Sequence, residues 1–213
     1  MLKTSARLKA IIFGFGLAVG ACAPVSARNE AGPDWPMAPE LAQAELRELY
    51  QRLRLSHFDL YAHRSRADYD RHFQQMLESF TRPMSHLELQ VALQQFTAYG
   101  QVAHSRIDFP GLEFERFRSA GGRILPLQVK VREGRLFVAA NLSGKARPRP
   151  GEEIVALQGV AASEWRNRLR SHLSADNDYL ADTLLELSFA QLLWLELGEI
   201  DTYSLSVRRG EGG

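Results

Sequence analysis

The sequence predicts an α+β fold, with a helical front followed by a small sheet that carries its own helices. Two patterns predict this. Between residues 46 and 100 the apolar residues recur at three- and four-residue intervals, the period of a helix with one buried face. From Leu125 the period drops to two, as in a half-buried strand. The 213 residues are 45% hydrophobic and 24% charged, a composition that can bury a core.

Taken in order, Leu46, Leu49, Tyr50 and Leu53 share one face of a first helix. A second opens at Ser65, where Asp68 stands three residues on in a weak capping box, and carries Tyr69, Phe73, Met76, Leu77 and Phe80. Arg82-Pro83 ends it. A third opens at Ser85 with Glu88 at the same spacing, presents Leu89, Leu93 and Phe96, and is expected to terminate at Gly100. Leu125, Leu127, Val129 and Val131 then alternate with polar residues. Glu133-Gly134 supplies a hairpin turn, and Leu136-Phe137-Val138 begins the return strand. A Gly-, Pro- and Lys/Arg-containing loop covers 143–151. Glu153 to Leu157 reads as a short strand ended by Gln158-Gly159. Ser163 is placed as the cap of a helix carrying Trp165 and Leu169. Asp176 to Leu197 reads as a long helix with Leu180, Leu184, Leu187, Leu192 and Leu195 on its apolar face and Gly198 as its stop. Tyr203, Leu205 and Val207 close the pattern as a last strand.

The first residues have the character of an export signal. Lys3, Arg7 and Lys9 precede an apolar run from Ala10 to Ala21, shorter than the ~20 residues that span a bilayer. Two processing sites compete. Val19-Gly20-Ala21-Cys22 is a lipobox-like stretch in which Cys22 would be lipidated, and Val25-Ser26-Ala27 fits ordinary signal cleavage. Cys22 is the single cysteine, so no internal disulfide is available. A lipid on Cys22 would tether the mature protein to a membrane surface, in the periplasm or cell envelope. The expected organisation is therefore a signal peptide over 1–27, a Pro-rich linker over 28–40, a helical region over 41–108 and a sheet-containing region over 109–213.

The formal net charge of +1 gives no field to attract nucleic acid. There is no phosphate-binding loop, and no two of the six histidines stand at i, i+4, so neither a cofactor nor a metal site is expected.

Three stretches, in this order, resemble the tail-specific (carboxyl-terminal processing) serine peptidases. Ser56-His57-Phe58-Asp59-Leu60-Tyr61 is similar to a His-Pro-Asn-Leu-Tyr segment of that family's helical front. Tyr99 to Arg106, containing His104-Ser105, is similar to its Gly-Asp-x-His-[Ser/Thr] segment. Arg149 to Val160, with Pro150-Gly151-Glu152-Glu153-Ile154, resembles the Pro-Gly-Asp-x-Ile stretch of PDZ-like domains, with Glu152 in place of the Asp and Gln158 in place of the Asn. The similarity covers roughly residues 42–208.

The resemblance implies a PDZ-like domain over 109–213 and a polypeptide partner, a substrate or protein C-terminus taken by strand addition. It implies a catalytic-base ancestry for His104, by analogy with tricorn-like members. The alternative is a loop histidine that caps a helix or bonds backbone. The family's nucleophilic serine belongs to a later αβ domain, and the mature region holds no Gly-x-Ser-x-Gly or Ser-x-x-Lys. The candidate peptide-binding loop is Gly122, Arg123, Ile124 and Leu125, behind Gly121. Its glycines would let backbone approach closely, and Arg123 would favour a carboxylate. An ordinary Gly-Gly turn is the other account. Arg149 to Val160 is expected at a sheet edge. Two functions follow: the front portion of an exported serine endopeptidase, or a non-catalytic peptide-binding envelope lipoprotein.

Overall fold

The computed structural model describes residues 36–209, so the predicted leader, Cys22 and most of the predicted linker lie outside the described residues. The fold is α+β, with six helices and a five-stranded antiparallel sheet among the described residues.

Helix α1 (Pro39–Ser56) starts within the segment expected as linker. Pro39 stands in the first turn, where its missing N–H costs nothing. Helix α2 (Arg66–Ser79) is capped as its sequence predicts: the Ser65 hydroxyl accepts the Asp68 N–H. Helix α3 (His86–Ala98) has a complete capping box between Ser85 and Glu88. Arg82 adds an ion pair at 2.5 Å. That guanidinium first, and the Ser85 amide second, hold the Glu88 carboxyl at about 2, below its ordinary 4.5. A depressed folded-state pKa contributes stability above the unfolded-state value and loses it as pH falls. Acid titration of unfolding should therefore show stability falling between about pH 4.5 and 2, and Glu88→Gln should flatten that part of the profile.

The three helices bury one cluster. Ala42, Leu46 and Tyr50 of α1 meet Tyr69 and Leu77 of α2 and Leu89 and Phe96 of α3. Tyr69 is its centre: its ring stacks on Tyr50 at 5.4 Å and meets the edges of Tyr61, Phe96 and Tyr99. This explains Gly100 differently from its expected role as helix stop. A Cβ there would sit 3.0 Å from the Tyr69 ring and hydroxyl. The left-handed residue after the helix is Gln101, φ 55°.

Helix α4 (Gly111–Ser119) is not foreseen in the sequence; its cap, Pro110, supplies no side-chain bond. It lays Phe114 and Phe117 against Trp194 at 5.1 and 5.3 Å. Strands β1 (Leu127–Arg132) and β2 (Arg135–Asn141) form the expected hairpin. Glu133 and Gly134 take φ of 51° and 75°, positive at both central residues as the favoured two-residue turn requires. Strand β3 (Glu153–Leu157) turns through Gln158-Gly159 in the same way to β4 (Val160–Ala161).

Helix α5 (Ala162–Arg170) starts one residue before Ser163, with Ala161 in the cap position and no side-chain cap, so Ser163 does not play the expected part. Helix α6 (Asp178–Leu197) is capped by Asn177, whose side chain accepts the Leu180 N–H at 2.9 Å. Asp176 instead accepts the Ala103 N–H. The buried face of α6 is Ala181, Leu185, Phe189, Leu192 and Leu193. Of the five leucines expected there only Leu192 is buried, and Leu187 is 78% exposed. Gly198 ends the helix at φ 65°.

Strand β5 (Leu205–Arg208) pairs with β3. The sheet order is β1-β2-β3-β4, with β5 on the other side of β3. Arg149 to Val160 therefore supplies the central strand and not an edge. The cause is β5, which arrives from some fifty residues downstream and covers β3 along its length. The second core lies beneath the sheet, where Leu127, Val129, Leu136, Val138, Ile154 and Leu157 face Trp165 and Leu169 of α5 and the buried face of α6.

Candidate functional site

With β3 enclosed, β1 is an outer strand, and α6 packs along it. Arg132 and Arg135 flank the two-residue turn and pair with each other. Alternation along an antiparallel ladder then points the amides of Val131 and Val129 away from β2. The Val131 N–H is occupied. It donates at 2.8 Å to Oε1 of Glu186 on α6, whose other oxygen takes the Lys130 ammonium at 2.5 Å. Glu186 is mostly buried (14% exposed) while Lys130 is 58% exposed, so one half of the pair lies in the cleft between strand and helix.

The predicted loop leads into this strand. Gly122 is buried, and a Cβ on it would lie 2.2 Å from the Phe117 ring of α4; its carbonyl accepts from Arg118 at 2.6 Å. Its lack of a side chain serves helix packing. Gly122→Ala must displace that ring and is expected to cost about 1–3 kcal/mol in chemical denaturation. Leu125 is buried in the second core and Ile124 is half-buried. Arg123 faces solvent, 73% exposed, with Asp201 at 4.0 Å. Of the four residues, Arg123 alone offers an exposed charged side chain, and an incoming carboxylate would compete with Asp201 for it.

His104 lies on the turn after α3 and is exposed. Among the described residues its imidazole has no hydrogen-bond partner. The backbone around it is tightly held. Ala103 N–H donates to Asp176 at 2.8 Å, Ser105 N–H to the Val102 carbonyl at 2.9 Å, and the Ser105 carbonyl accepts from the Ser174 hydroxyl at 2.6 Å. Gln94 and Gln90 of α3 donate to the carbonyls of Ile107 and Asp108. His57 instead closes α1, its Nδ1 accepting the Asp59 N–H at 3.2 Å. Among the described residues no group of histidine, cysteine and acidic side chains is placed to hold a metal. Glu186 went unnoticed in the sequence, where a glutamate on an amphipathic helix looks like part of a solvated face.

No family model matches the chain, and no curated protein matches it. Among solved structures, the chain is similar to a serine-to-alanine mutant of CPAF, at 19% identity and a TM-score of 0.49. The match covers 81% of this chain and 32% of that one, so this chain spans about a third of the length of its solved neighbour.

Proposed function

We propose that this chain is the substrate-docking portion of an exported serine endopeptidase of the tail-specific kind. It takes the C-terminal segment of a polypeptide along β1, against α6. His104 is its catalytic base, serving a serine hydroxyl. The observation that carries the reading is the Glu186 carboxylate on the outward Val131 amide, at 2.8 Å. An acceptor sits where the carbonyl of an added strand would bind, which supports strand addition here with Glu186 as the resident group that a peptide must displace. The order of the three motif-like stretches supports the family, and the exposed Arg123 at the head of the strand supports a free carboxylate as the feature recognised. Lipid attachment at Cys22 would hold the protein at a membrane surface.

The test is fluorescence polarisation of a labelled apolar peptide ending in a free carboxylate, against the same peptide ending in an amide. The acid is expected to bind about tenfold more tightly or better, each tenfold being about 1.4 kcal/mol. Glu186→Ala should strengthen binding by removing the resident acceptor, and Arg123→Ala should weaken it. Equal binding of acid and amide, or no response to either substitution, would reject the proposal.

A further inference from the structure

A cavity of about 500 Å³ opens between α2 and α3 on one wall and α5, the turn after it and the start of α6 on the other. None of the residues assigned above to peptide docking lines it. Its volume is that of a small-molecule site. Its lining is unusual in carrying two shielded polar atoms without partners, Nε of Arg64 and Nε2 of His72. Leaving such groups unpaired costs about 1–3 kcal/mol each, and natural folds do so sparingly.

The two side chains share a platform. His72 stacks on Tyr99 with ring centroids 4.0 Å apart, and the Arg64 guanidinium lies 5.0 Å from the centre of the same ring. The charge is unbalanced here. Arg170, the other cation on the lining, is paired with Asp178 at 2.5 Å and reaches Asp182 at 3.7 Å. Arg64 forms no ion pair among the described residues. Asp68, four residues on, feels the Arg64 charge only as the last and smallest influence on its carboxyl, and both its oxygens are engaged, one by Ser65 and one by Arg71. Burial first, and the Arg64 charge second, lower the His72 pKa, so its ring is neutral at pH 7 and adds no second positive charge. The rest of the lining is mixed: Met76, Ala98, Leu173 and Ala181 supply an apolar patch, and Gln95, Gln101, Asn167 and Ser171 supply polar groups.

We propose that this cavity binds a small free carboxylic acid with a short aliphatic chain, its carboxylate on the Arg64 guanidinium and its chain against the patch of Met76, Ala98, Leu173 and Ala181. One unpaired cation balances one negative charge. The planar guanidinium fork matches a carboxylate, whereas a phosphate dianion carries one negative charge more than the single unpaired cation and would meet the Asp178 carboxylate on the same lining.

The probe is isovalerate, titrated into the full chain by calorimetry and by amide-resolved NMR, with isovaleramide as its uncharged isostere. Isovalerate is expected to bind at least tenfold more tightly than the amide, to shift the signals of Tyr99 and His72, and to raise the melting temperature as its concentration rises. Arg64→Gln should weaken the acid tenfold or more and leave the amide unchanged. Arg64→Lys keeps the charge without the fork and should lie between, which gives a readout if the glutamine variant folds poorly. Arg123→Ala should change nothing here, so this site and peptide docking fail separately. Equal affinity for acid and amide would overturn the proposal, as would wild-type binding by both Arg64 variants. A valine-ended tripeptide that perturbed Tyr99 and His72 as strongly as isovalerate would overturn the assignment to a free acid.

Discussion

Replacing Trp165 with alanine is expected to remove about 3–5 kcal/mol of unfolding free energy, more than any other single substitution considered. The indole is 2% exposed and stands between α5 and the central strand. Its Nε1–H donates to the Leu157 carbonyl at 2.8 Å, tying the helix to the end of β3 beside the Gln158-Gly159 turn. Truncation opens a cavity that Leu157, Leu169 and the buried face of α6 cannot close without moving. It also takes the indole donor from the Leu157 carbonyl. Trp165→Phe separates the two contributions: it keeps most of the ring and loses only the hydrogen bond, so it should cost about 1–2 kcal/mol. Urea unfolding followed by circular dichroism measures both. A loss below about 1 kcal/mol for the alanine variant would mean that the sheet does not rest on α5 as described.

His172→Ala is the second large effect, at about 2–4 kcal/mol. The His172 side chain has no solvent exposure, and it joins the helical front to the sheet. Nε2 donates to Oε1 of Glu196 on α6 at 2.6 Å, and the ring's other nitrogen lies 3.3 Å from the Gln94 amide oxygen of α3. Gln95 donates to the Ser171 hydroxyl at 3.4 Å. Removing the imidazole leaves a largely buried carboxylate and a buried amide without that partner. A double-mutant cycle with Glu196→Ala should return a coupling of about 1–3 kcal/mol. Independent, additive losses would show that the two side chains do not act as a unit. Because the network spans the seam, the single variant should also separate the unfolding of the tyrosine-rich front from that of the tryptophan-bearing sheet.

The parts of this fold legible in the sequence are those fixed by neighbours in the chain. Ser65 with Asp68, Ser85 with Glu88, and the Glu133-Gly134 turn each do their work within a few residues, and each stands where its chemistry puts it. The phase of α6 was not legible, since leucines surround it and only the tertiary contacts choose among its faces. Helix α4 is short, has no side-chain cap, and is held by Phe114 and Phe117 against Trp194, a contact remote in sequence. The central position of β3 depends in the same way on a partner far down the chain. At the candidate site, Arg123 could be read as an exposed cation before an alternating strand. That Gly122 serves the Phe117 ring, and that Glu186 occupies the strand edge, are properties of packing alone.

The claim on which the functional account stands is that the outer edge of β1 accepts an added strand. Amide-resolved NMR of the full chain, titrated with an apolar peptide ending in a free carboxylate, tests it most directly. The account predicts that the Val129 and Val131 amides and the backbone of Arg123 move first and most, with Val131 trading Glu186 for a peptide carbonyl, and that Glu186→Ala makes the same shifts appear at lower peptide concentration. Shifts confined to β5 or to the front helices, with β1 silent at saturation, would contradict it.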